Sequence, residues 1–283
     1  MSWVKDSCRM FTNLGIIVFI VISSFIIAMQ STIAPWSNTL LGIDGSVFET
    51  IGFLMTKGFV PYRDSFDHKG PLIYIINWFG MQLSYYSGVW VIEFLAIILT
   101  LFFMYKIARM VCGNICSCIT LFAASSILFG YFNGGNFVEE YAMPFIAVSL
   151  YYFLDYFLND MISIPRLIIC GISFGSVCML RVNMIAVWVC FCIAVLIQLI
   201  YKKLYNKLLS FALFFMCGVA MIVLPILIWL AINRALGDFW VDYILFNSMY
   251  VSDASRATMV NKFNSFQYFS TNILVLASIV LTS

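Results

Sequence analysis

The sequence predicts an all-α fold, a polytopic bundle of transmembrane helices forming one membrane domain over residues 1–283. Three observations predict it. The chain is 63% hydrophobic, 18% aromatic and only 10% charged, whereas a soluble domain carries about a quarter charged residues. Several apolar runs reach the roughly 18 residues that cross a hydrocarbon core of about 30 Å. Lysines and arginines fall in connections on alternate sides of those runs, as the orientation of a multi-pass chain requires. A net charge of +2, with no basic run of the kind that grips phosphate backbones, gives no footing for a nucleic-acid partner.

Lys5 and Arg9 precede the first run, Leu14 to Ala34. The amino terminus is therefore expected in the cytoplasm and the next connection, residues 35–88, outside. The run is too long for the apolar core of a secretory signal and no Ala-x-Ala site follows, so it reads as an uncleaved span. In the connection, Ser46-Val47-Phe48-Glu49 has the pattern of a capping box. Val47, Ile51, Leu54 and Met55 follow at helical spacing, and Gly58 and Pro61 stop the helix. The expectation is a short amphipathic helix on the outer leaflet, with Asp44 just ahead of its start.

Pro71 suits the first position of a second helix, Leu72 to Tyr86. Its shortness and its polar edge (Asn77, Gly80, Ser84) favour a flat or re-entrant helix over a span, and so does the charge rule. The chain then alternates through Val89 to Tyr105, Ile115 to Phe132, a second outer loop at 133–140, Tyr141 to Leu158, Leu167 to Leu180, Met184 to Tyr201 and Leu208 to Ile232. A third outer loop covers 233–267, and a final run starts at Tyr268, which makes about seven spans plus interfacial helices. On this layout the inner side carries eight cations and three acids and the outer side seven cations and nine acids, with Glu93 left in a span. The final run has only about 16 residues, short for a span, so the chain is expected to be the amino-terminal part of something longer or a shortened relative. Eight of the nine cysteines lie in or beside apolar segments without metal-site spacing, and they read as packing residues.

The connection from Asp44 to Leu72 concentrates the chemistry. It holds Asp44, Glu49, Asp64, Asp67, Lys57, Arg63, Lys69 and the only histidine, His68. Charge this dense beside a bilayer is either solvated outside it or gathered around a polar substrate. Asp44, where the chain leaves lipid, is either a solvated turn residue favoured by a helix dipole or a partly desolvated proton acceptor for an alcohol. The alternating charges of residues 62–69 form either a self-neutralising loop or a clamp in which Arg63 and Lys69 match the growing charge of a phosphate leaving group. His68 and Asp67 are candidates for a metal or an acceptor. Glu139 and Glu140 either satisfy the dipole of a helix capped by Asn136 or reach the same cavity as metal or acceptor ligands. Arg181 either snorkels to the interface or faces a cavity and helps to hold phosphate. Phe239, Trp240, Tyr243, Phe246 and Tyr250 form either an aromatic belt or an entry for a prenyl chain. No Walker loop, dinucleotide fingerprint, nucleophile elbow or zinc-protease motif is present.

Asp-x-Ser-x-Phe after the first span, followed by Gly-x-x-Pro-Tyr-Arg-Asp-x-Phe-Asp-His-Lys-Gly-Pro-Leu-x-Tyr, resembles the amino-terminal signature of membrane glycosyltransferases of the C-type fold. That group is similar to dolichyl-phosphate-mannose protein mannosyltransferases and bacterial aminoarabinose transferases. The Gly-Asn-Phe-Val-Glu-Glu-Tyr loop is also like bacterial members. The resemblance implies inverting transfer of a sugar from polyprenyl phosphate to an acceptor on the outer face. It implies Asp44 as the base for the acceptor hydroxyl and Lys69 at the donor phosphate. His68 falls where relatives often have a metal-associated glutamate, which implies a divalent cation as a cofactor. Gly45 stands where a glutamate commonly follows the aspartate, and relatives have about eleven or more spans.

The expectation is thus a glycosyltransferase of the bacterial cytoplasmic membrane. Its partners are a polyprenyl-phosphate sugar, membrane lipid and a glycan or lipid acceptor such as a polysaccharide or teichoic acid. The alternative is a lipid-linked-sugar transporter or a non-catalytic, truncated partner of a larger transferase. A transporter concentrates its polar groups near the bilayer midplane; here only Glu93 and Arg181 lie in or near lipid.

Overall fold

The computed structural model describes residues 2–39, 42–132, 134–159 and 163–249, with side chains from residue 14 onward. Among them all the regular secondary structure is helical. In order come α1 (Ser2–Ala28), α2 (Ile43–Thr56), α3 (Pro71–Leu83), α4 (Gly88–Val111), α5 (Asn114–Tyr131), α6 (Val138–Asn159), α7 (Ile164–Leu180), α8 (Ala186–Tyr201), α9 (Tyr205–Ile232) and a short α10 (Leu236–Phe239) that continues as a π-turn, Trp240–Leu245. The final run from Tyr268, Tyr250 and the distal part of the third loop lie outside the described residues.

The helical membrane class holds at the level of length and apolarity. The helices α4, α5, α6 and α9 are long and apolar enough to cross a membrane, while Leu14–Ala28, α7 and α8 are shorter apolar helices. At 1.5 Å per residue the 24 residues of α4 reach about 36 Å. The 13 residues of α3 reach only about 20 Å.

Two apolar clusters divide the bundle. One joins Ile20 and Ile27 of α1 to Ile97 and Leu101 of α4 and Leu121 of α5. The other gathers Phe48, Ile73, Tyr74, Tyr141, Val177, Trp188, Leu230 and Phe239 from α2, α3 and α6 to α10. Helix α7 lies inside the second cluster, which is why so short a helix is stable: Cys170, Gly171, Ser173, Gly175, Ser176 and Val177 are all buried. Its small residues let α9 approach closely. A Cβ on Gly171 would fall 2.0 Å from the Phe215 carbonyl oxygen, and one on Gly218 would fall 2.2 Å from that of Ile168. The same device joins α2 to α3, where a Cβ on Gly52 would meet the Cβ of Asn77 at 2.6 Å. The eight described cysteines are free thiols.

Two local expectations are corrected. Helix α2 begins at Ile43, not at Ser46, with Gly42 as an uncapped N-terminal residue. Ser46 N–H already donates to Gly42 O, and its hydroxyl donates to Ile43 O. The Ser46–Glu49 capping box therefore does not form, and Asp44 sits within the first turn. The buried Gly45 and Phe48 extend the packed face of the helix toward its start. Asn136 likewise does not cap α6. Its φ of +57° is left-handed, whereas a capping residue is extended. The reach-back comes from Glu140, whose Oε2 accepts the Phe137 N–H at 3.0 Å.

Candidate functional site

The ends of several helices meet around residues 60–70. Gly70 N–H donates to Leu180 O at 3.0 Å, and a Cβ on Gly70 would lie 2.1 Å from the Met179 carbonyl oxygen. This backbone contact brings the residue before Gly70, Lys69, to the carboxyl end of α7, which Arg181 follows. Tyr62, at φ +70°, turns the loop back on itself, and its hydroxyl donates to Lys69 O at 2.7 Å. Tyr62 and Tyr74 are buried, and burial pushes both phenols well above their ordinary value. They are neutral groups beneath the loop.

Lys69 Nζ lies 3.5 Å from Asp44 Oδ2; the lysine side chain is 12% exposed and the aspartate 49%. Two residues 25 positions apart in sequence are thus brought together, one sheltered and one open. Arg181 pairs with Glu139. The two ion pairs are tied to one framework, because Asn136 Nδ2 donates to Gly45 O at 3.3 Å, next to Asp44 on one side and three residues before Glu139 on the other.

Other expected members separate from this group. The Arg63 guanidinium donates twice to Asp64, at 2.9 and 2.7 Å, and to Asn233 O at 3.0 Å; among the described residues no hydrogen bond or ion pair joins it to Asp44 or Lys69. Arg63, with the Val60 amide, holds the Asp64 carboxyl down at about 2. Asp67 is buried; its Oδ1 accepts the His68 N–H at 2.6 Å and lies 3.3 Å from His68 Nδ1, while Oδ2 has no hydrogen-bond partner. Glu140 is buried beside Glu93 rather than turned to Asp44. Among the described residues no three His, Cys, Asp or Glu side chains gather into a metal-binding group.

The segment after α9 closes over the loop. Tyr243 OH donates to Cys178 O at 2.6 Å and accepts Val182 N–H at 3.1 Å. Phe239 packs on Tyr62, Phe246 packs on Phe66 and His68, and Asn247 Nδ2 donates to His68 O at 2.7 Å. The aromatic residues are therefore not one belt. Phe239 and Tyr243 are buried, whereas Trp240 is 56% and Phe246 39% exposed. Beside them a mostly apolar cleft of about 370 Å³ opens among Met55, Phe59, Ile75, Trp78, Trp229 and Asn233.

Three contributors take part in a way that their sequence readings, a polar helix edge for Asn77, a helix cap for Asn136 and an acid in a span for Glu93, did not include. Asn77 and Asn136 exchange amide hydrogen bonds at 3.0 and 3.2 Å, and Tyr141 OH donates to Asn136 Oδ1 at 3.0 Å. The only signal for Glu93 was an acid inside an apolar run, a costly placement that usually marks a polar cavity.

The model of the family named Competence-induced Ccs4, N-terminal domain, matches residues 7–282. No curated protein and no solved structure matches the chain.

Proposed function

We propose, for a chain that belongs to the Competence-induced Ccs4 N-terminal domain family, a membrane glycosyltransferase of the C-type kind that uses a polyprenyl-phosphate sugar. The family name states no reaction, and the reading rests on the residues. It is carried by one observation, the approach of Lys69 Nζ to Asp44 Oδ2 at 3.5 Å. A sheltered cation beside a half-exposed acid is the minimum that inverting transfer from a phosphate requires. The acid takes the proton of the acceptor hydroxyl as its oxygen attacks the anomeric carbon. The bond from that carbon to the phosphate oxygen breaks, and the cation matches the charge left on the polyprenyl phosphate. Arg181 is the second cation for that phosphate, exchanging Glu139 for it. Arg63 braces the loop against the end of α9. The cleft beside Trp78 and Trp229 offers apolar surface for the prenyl chain. In this reading the loop faces outward from the bacterial cytoplasmic membrane and the amino terminus faces the cytoplasm.

The test is sugar transfer from a polyprenyl-phosphate donor by purified, correctly inserted protein. Asp44→Asn is expected to lose about 100-fold or more, in the range of a removed general base. Lys69→Ala is expected to weaken donor use. Undiminished transfer by the Asn variant would remove Asp44 from the chemistry and leave the chain a non-catalytic partner or carrier.

A further inference from the structure

Glu93 is fully buried in α4, and Glu140, 6% exposed, lies against it from the first turn of α6. Glu93 Oε1 accepts the Asn136 N–H at 2.6 Å. Its Oε2 has no hydrogen-bond partner, and neither does the hydroxyl of Ser31, which is 1% exposed. Ser31 Oγ and Glu93 Oε1 converge on Gly135. A Cβ built there would fall 2.1 Å from Ser31 Oγ and 2.7 Å from Glu93 Oε1, and the residue is at φ +78°. Among the described residues no lysine or arginine forms an ion pair with either glutamate. Two carboxylates in contact inside a protein repel strongly, and without a counter-charge the pair is kept only by holding a proton.

We propose that Ser31, Glu93 and Glu140 form a binding site for a small divalent cation. Charge balance selects a divalent ion, and a donor set made only of oxygen selects a hard one such as Ca²⁺, Mg²⁺ or Mn²⁺. The two carboxylates neutralise it, and Glu93 Oε2 and the Ser31 hydroxyl, which lie beside one another without a well-formed hydrogen bond, supply ligands. The ion fastens the α1 end to α4 and to the loop before α6. Through Asn136 and Gly45 it also steadies the turn that carries Asp44. The site stands whether or not the chain transfers sugar, so its test uses no substrate.

The full chain, purified in detergent and stripped with EDTA, is titrated separately with Mn²⁺, Ca²⁺ and Mg²⁺ at constant ionic strength. Bound Mn²⁺ is counted by loss of the free-ion electron paramagnetic resonance signal, and unfolding is followed by tryptophan fluorescence. One Mn²⁺ per chain and a Tm raised by several degrees are expected. Both responses should vanish in Glu93→Gln and persist in Asp67→Asn and His68→Ala. Ser31→Ala adds no bulk and should weaken Mn²⁺ about tenfold; it carries the test if Glu93→Gln does not fold. Absence of Mn²⁺ binding at millimolar concentration would overturn the site, as would unchanged affinity in Ser31→Ala or loss confined to the Asp67 and His68 variants. A Tm that follows pH but ignores all three metals would identify a shared proton instead and also overturn it.

Discussion

Single residues at the candidate site differ in what holds them. The Arg63–Asp64 pair is bidentate but solvent-facing, so salt screens it and its contribution is small. Because Asp64 is held at about 2 when folded, against an ordinary value near 4, its contribution is present above pH ~4. It declines as pH falls toward 2. Asp64→Asn should therefore flatten the acid limb of a Tm-against-pH curve between about pH 4 and 2, and an unchanged limb would show that the pair is idle in solution. Gly135 is held sterically. Gly135→Ala drives a methyl into Ser31 and Glu93 at a left-handed φ, and should lower Tm more than Gly113→Ala, where a Cβ meets nothing within 4 Å. The pairing of Asp44 with Lys69 was legible as two separate candidates, because charged residues in an apolar chain stand out. Their contact was not, because it depends on Gly70 docking under Leu180.

At the scale of elements, apolar runs found the helices and missed their ends. Helices α4, α5, α6, α8 and α9 coincide with hydrophobic runs, since length and apolarity alone mark them. The capping box places the N-cap of α2 four residues late, at Ser46 rather than Gly42, because it is a local pattern, while the buried Gly45 and Phe48 reflect packing against other helices. The glycines of α7 make a sharper case. Gly171→Leu should separate α7 from α9 and abolish a cooperative melt in detergent, since the side chain points into the Phe215 carbonyl. Gly175→Ala, with 3.1 Å to the Val219 oxygen, should cost far less. Equal melts for the two variants would show that the helices are not packed this closely.

Over the whole molecule, the two apolar clusters are joined at one end by buried polar groups. Asn77 and Asn136 exchange hydrogen bonds, and Asn136 also engages Glu93, Gly45 and Tyr141. Removing one partner leaves the others buried and unpaired, so Asn77→Ala should destabilise by about 1–3 kcal/mol, read as a lower unfolding midpoint. A change within error would mean that the seam is wet. The sequence by itself determined a helical membrane protein, because long apolar runs satisfy their backbone groups within a bilayer by forming helices. It also marked the polar connection, because charge in such a chain is scarce. Only the tertiary structure decided which charges meet: Lys69 with Asp44, Arg181 with Glu139, and Glu140 with Glu93 rather than with the loop. Those partners are fixed by backbone contacts at glycines and by burial between helices far apart in sequence, and neither periodicity nor spacing along one segment carries that information.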